Sequence, residues 1–349
     1  MLFFACPLRH GRSLGQPSHD FRSIILAFFL LIALQIALVA CGGAGSTPGQ
    51  LPTGHPMTSP SPSSPPSRLY LSGSGAIDIF ALPLTNGSTV ADHIADTSFP
   101  QGMSFDPTHR LFVANRQLRN NGSVQIFTQP LANGAIPAFS LTTGTTVCVP
   151  TGCGNSAALD VAFDRAGDLF VVGSQPFIIC PTIRCPELVT GGMFMEFIAP
   201  ITSSSTPSVS SSGSGVPLLG DAIDHNGDLW IARSDGELVE TNPPFGAGSG
   251  GFELAANTSG GVAFDAAGNL YVATAGGVDV YRPPFSSSMT RAFTISATLP
   301  QFLAFDQAGN LYVTAGSQML VFTPPFSGAT GPLITLTPPN AEFGIAIGP

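Results

Sequence analysis

Beyond residue 68 the chain keeps returning to one figure of apolar and polar positions: a short apolar run, a tight polar turn, then a second apolar run. Five copies are Gly102-Met-Ser-Phe-Asp106 to Leu111-Phe-Val113, Asp160-Val-Ala-Phe-Asp164 to Leu169-Phe-Val171, Gly220-Asp-Ala-Ile-Asp224 to Leu229-Trp-Ile231, Gly261-Val-Ala-Phe-Asp265 to Leu270-Tyr-Val272, and Phe302-Leu-Ala-Phe-Asp306 to Leu311-Tyr-Val313. Runs of this length around a turn predict β-hairpins. In the last four copies the turn reads Asp-x-x-Gly and then Asn or Asp, so Asp is placed to accept turn amides and Gly to take a positive φ. An EF-hand loop needs alternating acidic ligands and a distant Glu, which this spacing lacks.

A third apolar run follows each hairpin and ends in Pro plus an apolar residue: Ile77 to Leu84, Val124 to Leu131, Phe194 to Ile201, Leu238 to Phe245, Val278 to Phe285 and Met319 to Phe326. Proline has no amide to continue a ladder, so these positions predict strand ends and packing between units rather than peptide-binding motifs. The aromatics Tyr70, Phe112, Phe170, Trp230, Tyr271 and Tyr312 mark six units, about 41 residues apart except for two longer units in the middle. That period, with three or four strands per unit, predicts an all-β, six-bladed β-propeller over 68–349. The first unit lacks an opening strand, and Phe343-Gly-Ile-Ala-Ile347 is left over at the carboxyl end. This strand is expected to pair into the first blade beside Leu69 to Leu71 and close the ring.

The string Gly261 to Ala273 resembles the repeats of the NHL and gluconolactonase-like propeller superfamily. The resemblance implies a ligand face on the loops that lead into each blade and join its second and third strands. In the gluconolactonase-like enzymes that face holds a cation on a Glu, Asn and Asp set. The Glu of the first blade has no evident counterpart here.

Composition narrows the function. Charged residues are only 9% of the chain, Gly (40) and Pro (32) are abundant, and all 12 basic residues are Arg. Without Lys, Schiff-base chemistry and a phosphate-loop lysine are excluded. A formal charge of −9 and a pI near 4.9 exclude a nucleic-acid partner, which needs a basic footprint.

Arg9, Arg12 and Arg22 precede an apolar run from Ile24 to Ala40 broken only by Gln35, the order of an export signal. The run ends in Leu38-Val39-Ala40-Cys41-Gly42, which resembles the lipobox of bacterial lipoproteins; an uncleaved membrane anchor is the alternative. The expected organisation is a signal peptide over 1–40, a lipid-anchored disordered Pro/Ser/Gly linker over 41–67 with Cys41 acylated, and the propeller. The expected location is extracytoplasmic, held to the membrane of a bacterial envelope.

Residues that depart from the repeat are the candidates for function. Asp160 fills a slot that is Gly in most other blades, and Asp221 replaces the adjacent aliphatic of the next blade. Asn115 and Arg233 stand where other blades have Gly73, Gly173, Thr274 and Ala315. All four are expected to converge on the channel mouth as ligand-face residues. Asp160 and Asp221 are also candidate oxygen ligands for Ca²⁺, although no cofactor is the primary expectation. The alternative is that the two carboxylates pair with Arg233 or cap loops.

Glu196 and Glu240 replace aliphatics in third strands and are expected at solvent-reaching blade edges rather than as a catalytic pair. His93, His109 and His225 form no catalytic spacing, so no catalytic residue is assigned. Cys148 with Cys153, and Cys180 with Cys185, lie in the two long insertions and predict local disulfides, with a zinc site as the rival. The functional expectation is a non-catalytic binding module for a protein, glycan or small-molecule ligand. A metal-dependent lactonase-like or lyase-like enzyme is the alternative.

Overall fold

A computed structural model describes residues 67–349 apart from positions 97, 117–120, 145, 150–151, 183–184, 213–214 and 247–248. The expected signal peptide over 1–40, Cys41 and residues 42–66 of the expected linker lie outside the described residues, as do the side chains of Cys180 and Cys185.

Six four-stranded antiparallel sheets account for all but one hairpin of the described strands. In blades 2 to 6 the four strands follow in chain order, beginning at Pro100–Phe105, Ala157–Phe163, Leu218–Ile223, Thr258–Phe264 and Pro300–Phe305. Blade 1 is built from both ends of the propeller: its innermost strand is Ala341–Gly348, followed by Arg68–Gly73, Ala76–Ala81 and Asp92–Ala95. Leu69 pairs with Ile347, Tyr70 with Ala346 and Leu71 with Ile345, the expected closure.

The hairpin turns are held by their Asp. The Asp265 Oδ1 accepts N–H bonds from Ala267 (2.9 Å) and Asn269 (2.8 Å), and Asp106, Asp164 and Asp224 do the same in their blades. The residue that closes the turn has positive φ: Gly167, Gly227, Gly268 and Gly309, with His109 in that role in blade 2.

The proline positions seal the blades to one another. The peptide bond before the proline is cis at Pro83, Pro130, Pro200, Pro244, Pro284 and Pro325, once per blade. The apolar residue after it packs against the second-strand aromatic of the preceding blade: Phe245 on Phe170 at 5.1 Å between ring centroids, Phe285 on Trp230 at 5.0 Å and Phe326 on Tyr271 at 5.8 Å. Leu131 joins the cluster of Tyr70, Ile201 that of Phe112, and Leu84 that of Tyr312, so the scheme runs round the ring. Each buried aromatic contributes roughly 1.5–3 kcal/mol through its transfer from water.

The two insertions belong to blade 3 and its approach. The first carries a separate hairpin, Val147–Val149 with Gly152–Gly154, and Cys148 and Cys153 form a disulfide in it. The second lengthens the middle strands of blade 3 to Leu169–Thr182 and Cys185–Phe197. They meet where Gly154 lies against Pro176 and Leu188. With Cys148 and Cys153 oxidised, a zinc site shared by the insertions has no ligands from the first.

Candidate functional site: a carboxyl pair in the central channel

The inner strands of all six blades line a central cavity of about 320 Å³. Near its throat the strands pass so closely that most blades carry Gly there. A Cβ placed on Gly102 would lie 1.9 Å from the Asp160 Oδ1, and one on Gly220 would lie 3.1 Å from its Oδ2. Asp160 fits into its own glycine slot because the blades on either side keep theirs.

The Asp160 Oδ1 accepts the Val161 N–H (2.9 Å), and its Oδ2 accepts the Asp221 N–H (3.2 Å). Asp221 lines the same cavity, is only 5% exposed, and neither of its carboxyl oxygens has a hydrogen-bond partner among the described residues. Burial raises the pKa of Asp160 to about 7, against the pull of those two N–H bonds. Asp221 is pushed well above the ordinary carboxylate range, first by burial and then by the charge of Asp160. The two titrate as a coupled pair and retain protons at pH values where exposed aspartates have lost them.

Two of the four expected site residues are therefore together, and two are elsewhere. Asn115 is fully buried inside blade 2, where its Nδ2 donates to the Val113 carbonyl (3.3 Å) beside Asp96. Arg233 is drawn to nearer acids, with Nη2 on Asp235 (2.6 Å) and Nη1 on Glu253 (3.0 Å). Neither lines the channel. The pairing of Arg233 with Asp160 or Asp221 is accordingly not formed.

A divalent cation of the lactonase type needs a larger oxygen set than this pair offers. Among the described residues no group of three or more His, Cys, Asp and Glu side chains is placed to hold a metal ion, and the channel lining around the two carboxyls is mainly aliphatic and aromatic. The donor set does not fit such a cation.

The two glutamates differ from the expectation and from each other. Glu196 is half-buried and accepts the Ser208 hydroxyl (2.8 Å), whereas Glu240 is buried. Its register partners are Trp230 and Phe252, so it faces inward from the strand.

No protein-family model and no curated protein matches the chain. Solved structures do match it. A Bacteroides caccae protein of unknown function aligns at 11% identity over 81% of this chain and 99% of its own, with a TM-score of 0.55. The Pseudomonas aeruginosa periplasmic gluconolactonase PpgL aligns at 14% identity over 81% and 99%, with a TM-score of 0.56. A functionally unknown Desulfotomaculum acetoxidans protein gives 14% over 79% and 83%, with a TM-score of 0.50. At these identities the likeness concerns the backbone: the chain has the six-bladed propeller fold that the gluconolactonase-like proteins also adopt.

Proposed function

We propose that this protein is a lipid-anchored, extracytoplasmic propeller of a bacterial envelope that binds its ligand at the central channel without turning it over. The observation that carries this reading is Asp221, a buried carboxyl with two unpartnered oxygens beside a second carboxyl, on a cavity that all six blades line. A buried polar group without a partner costs about 1–3 kcal/mol, which a ligand bearing hydrogen-bond donors would recover on binding. Among the described residues that line the cavity the only hydroxyl is that of Ser104, with no His and no third acidic group beside the pair to activate it, which favours recognition over catalysis.

The test uses the full chain. Binding to isolated envelope polysaccharide and peptidoglycan fractions is measured for the wild type and for Asp221→Val, together with hydrolysis of gluconolactone with and without divalent cations. The expected result is retention that weakens at least tenfold in the variant, with no turnover. Lactone hydrolysis lost on chelation would replace the binding reading with the enzymatic one. For the anchor, Cys41→Ser is expected to release the protein from the membrane fraction and to abolish fatty-acid incorporation; normal acylation of the variant would contradict it.

A further inference from the structure

The opposite face of the propeller, formed by the hairpin turns, carries a cavity at each of two successive blade interfaces, and the repeat makes them directly comparable. Between blades 5 and 6 the cavity is about 390 Å³ and is lined in part by Asp265, Asn269, Tyr271, Val280, Arg282 and Phe326. Between blades 4 and 5 it is about 490 Å³, and Asp224, Asp228, Trp230, Glu240 and Phe285 fill five of those slots. The sixth, that of Arg282, falls to Asn242. Three substitutions thus change its charge: Asn to Asp at 228, Val to Glu at 240 and Arg to Asn at 242.

The loss is specifically one of hydrogen-bond donors. In blade 5 the outer oxygen of Asp265 accepts both the Asn269 side-chain amide (2.8 Å) and the Tyr271 hydroxyl (3.2 Å), and Asp306 is held the same way in blade 6 by Asn310 and Tyr312. Blade 4 has an acid in place of the amide and an indole in place of the phenol. One donor, the Asn242 Nδ2, is shared between Asp228 (2.9 Å) and Glu240 (2.5 Å). Burial raises the pKa of Glu240, and the charge of Asp228 adds to it.

The indole supplies an independent observation. Trp230 lines this cavity, is 1% exposed, and its Nε1–H has no acceptor among the described residues. Buried donors are rarely left in that state, so the position calls for an acceptor from outside the chain. Trp230, Phe252 and Phe285 present aromatic surface, with Trp230 5.6 Å from Phe252 and 5.0 Å from Phe285 between centroids.

We infer that the cavity between blades 4 and 5 is a second ligand site, for a hydroxylated organic ammonium of amino-sugar size. The carboxylates of Asp228 and Glu240 receive the ammonium, a ligand hydroxyl accepts from the Trp230 indole, and the rings cover the apolar face of the ligand. The volume lies within the range of small-molecule sites. No metal is required, and the site does not depend on the channel pair.

Trp230 is the only tryptophan in the chain, so indole emission, excited selectively over the 4 tyrosines, reports on this cavity. Glucosamine is titrated into the full-length protein at neutral pH, followed by fluorescence and by calorimetry, with glucose as the uncharged isostere. The variants Glu240→Val and Asp228→Asn each restore the residue found in blades 5 and 6 and are expected to preserve the fold, checked by circular dichroism. The expected result is saturable glucosamine binding that shifts the emission, weakens at least tenfold in each folded variant, and exceeds glucose binding at least tenfold. Absence of glucosamine binding, equal affinity for glucose, or unchanged affinity in the variants would each overturn the assignment. If Glu240→Val fails to fold, Asp228→Asn decides.

Discussion

Replacing Asp221 with Val is expected to stabilise the propeller by about 2 kcal/mol near about pH 8 and to remove much of its loss of stability above about pH 4. The slot accepts the side chain, because Val161 and Val262 occupy it in blades 3 and 5. Both carboxyls of the pair have raised folded-state pKa values, about 7 for Asp160 and above the ordinary range for Asp221, against 3.8 when unperturbed. As pH rises past 3.8, the unfolded chain releases both protons while the folded chain holds them. The stability these groups confer is thus complete below 3.8 and is lost as pH climbs through the folded-state values. The variant removes one such group and relieves the other of a like charge. Urea denaturation of both proteins at about pH 5 and about pH 8 checks this. A variant less stable than wild type at the higher pH would mean that Asp221 is satisfied in the free protein.

Removing the chain after Asn340 is expected to cost at least several kcal/mol, order of magnitude, and to leave the propeller unfolded or readily proteolysed. The lost strand is the innermost of blade 1. It buries Ile345 and Ala346, lies against Arg68–Gly73 through an antiparallel ladder whose register shifts between Leu71 and Gly73, and ends where the Pro349 carbonyl accepts the Tyr70 hydroxyl (2.5 Å). The milder Ile345→Ala keeps the ladder and should cost about 2–4 kcal/mol, since it empties a buried site at the junction with blade 6. Denaturant midpoints for both variants provide the check, and a truncated protein with the wild-type midpoint would contradict closure.

The blades are legible because blades 2 to 6 repeat an Asp-led turn, and every blade one large aromatic, at fixed offsets, which chance does not produce. The outermost strands are not. Segments such as Asp92–Ala95 and Ile334–Leu336 are three or four residues long and partly exposed, so their alternation is too brief to stand out. In the channel, Asp160 and Asp221 were readable because an acid in a Gly or aliphatic slot breaks a close-packed pattern. Arg233 misled because a long side chain finds the nearest carboxylates, here Asp235 two residues on. Glu240 misled for the opposite reason: a lone acid in a strand suggests an edge, yet its register partner is the buried Trp230. The signal was the slot itself, held by Ile79, Ile126, Val280 and Val321 in four other blades.

The sealing residues give the ring a direction. Every blade offers an aromatic forward and reaches back with the apolar residue after its proline, so the junctions are head-to-tail, like the heterologous contacts that generate rings or filaments among separate subunits. A single repeat set free would carry one unfilled socket and one unseated plug. Covalent continuity keeps those complementary ends on the same molecule, which turns a surface suited to endless self-association into a closed one.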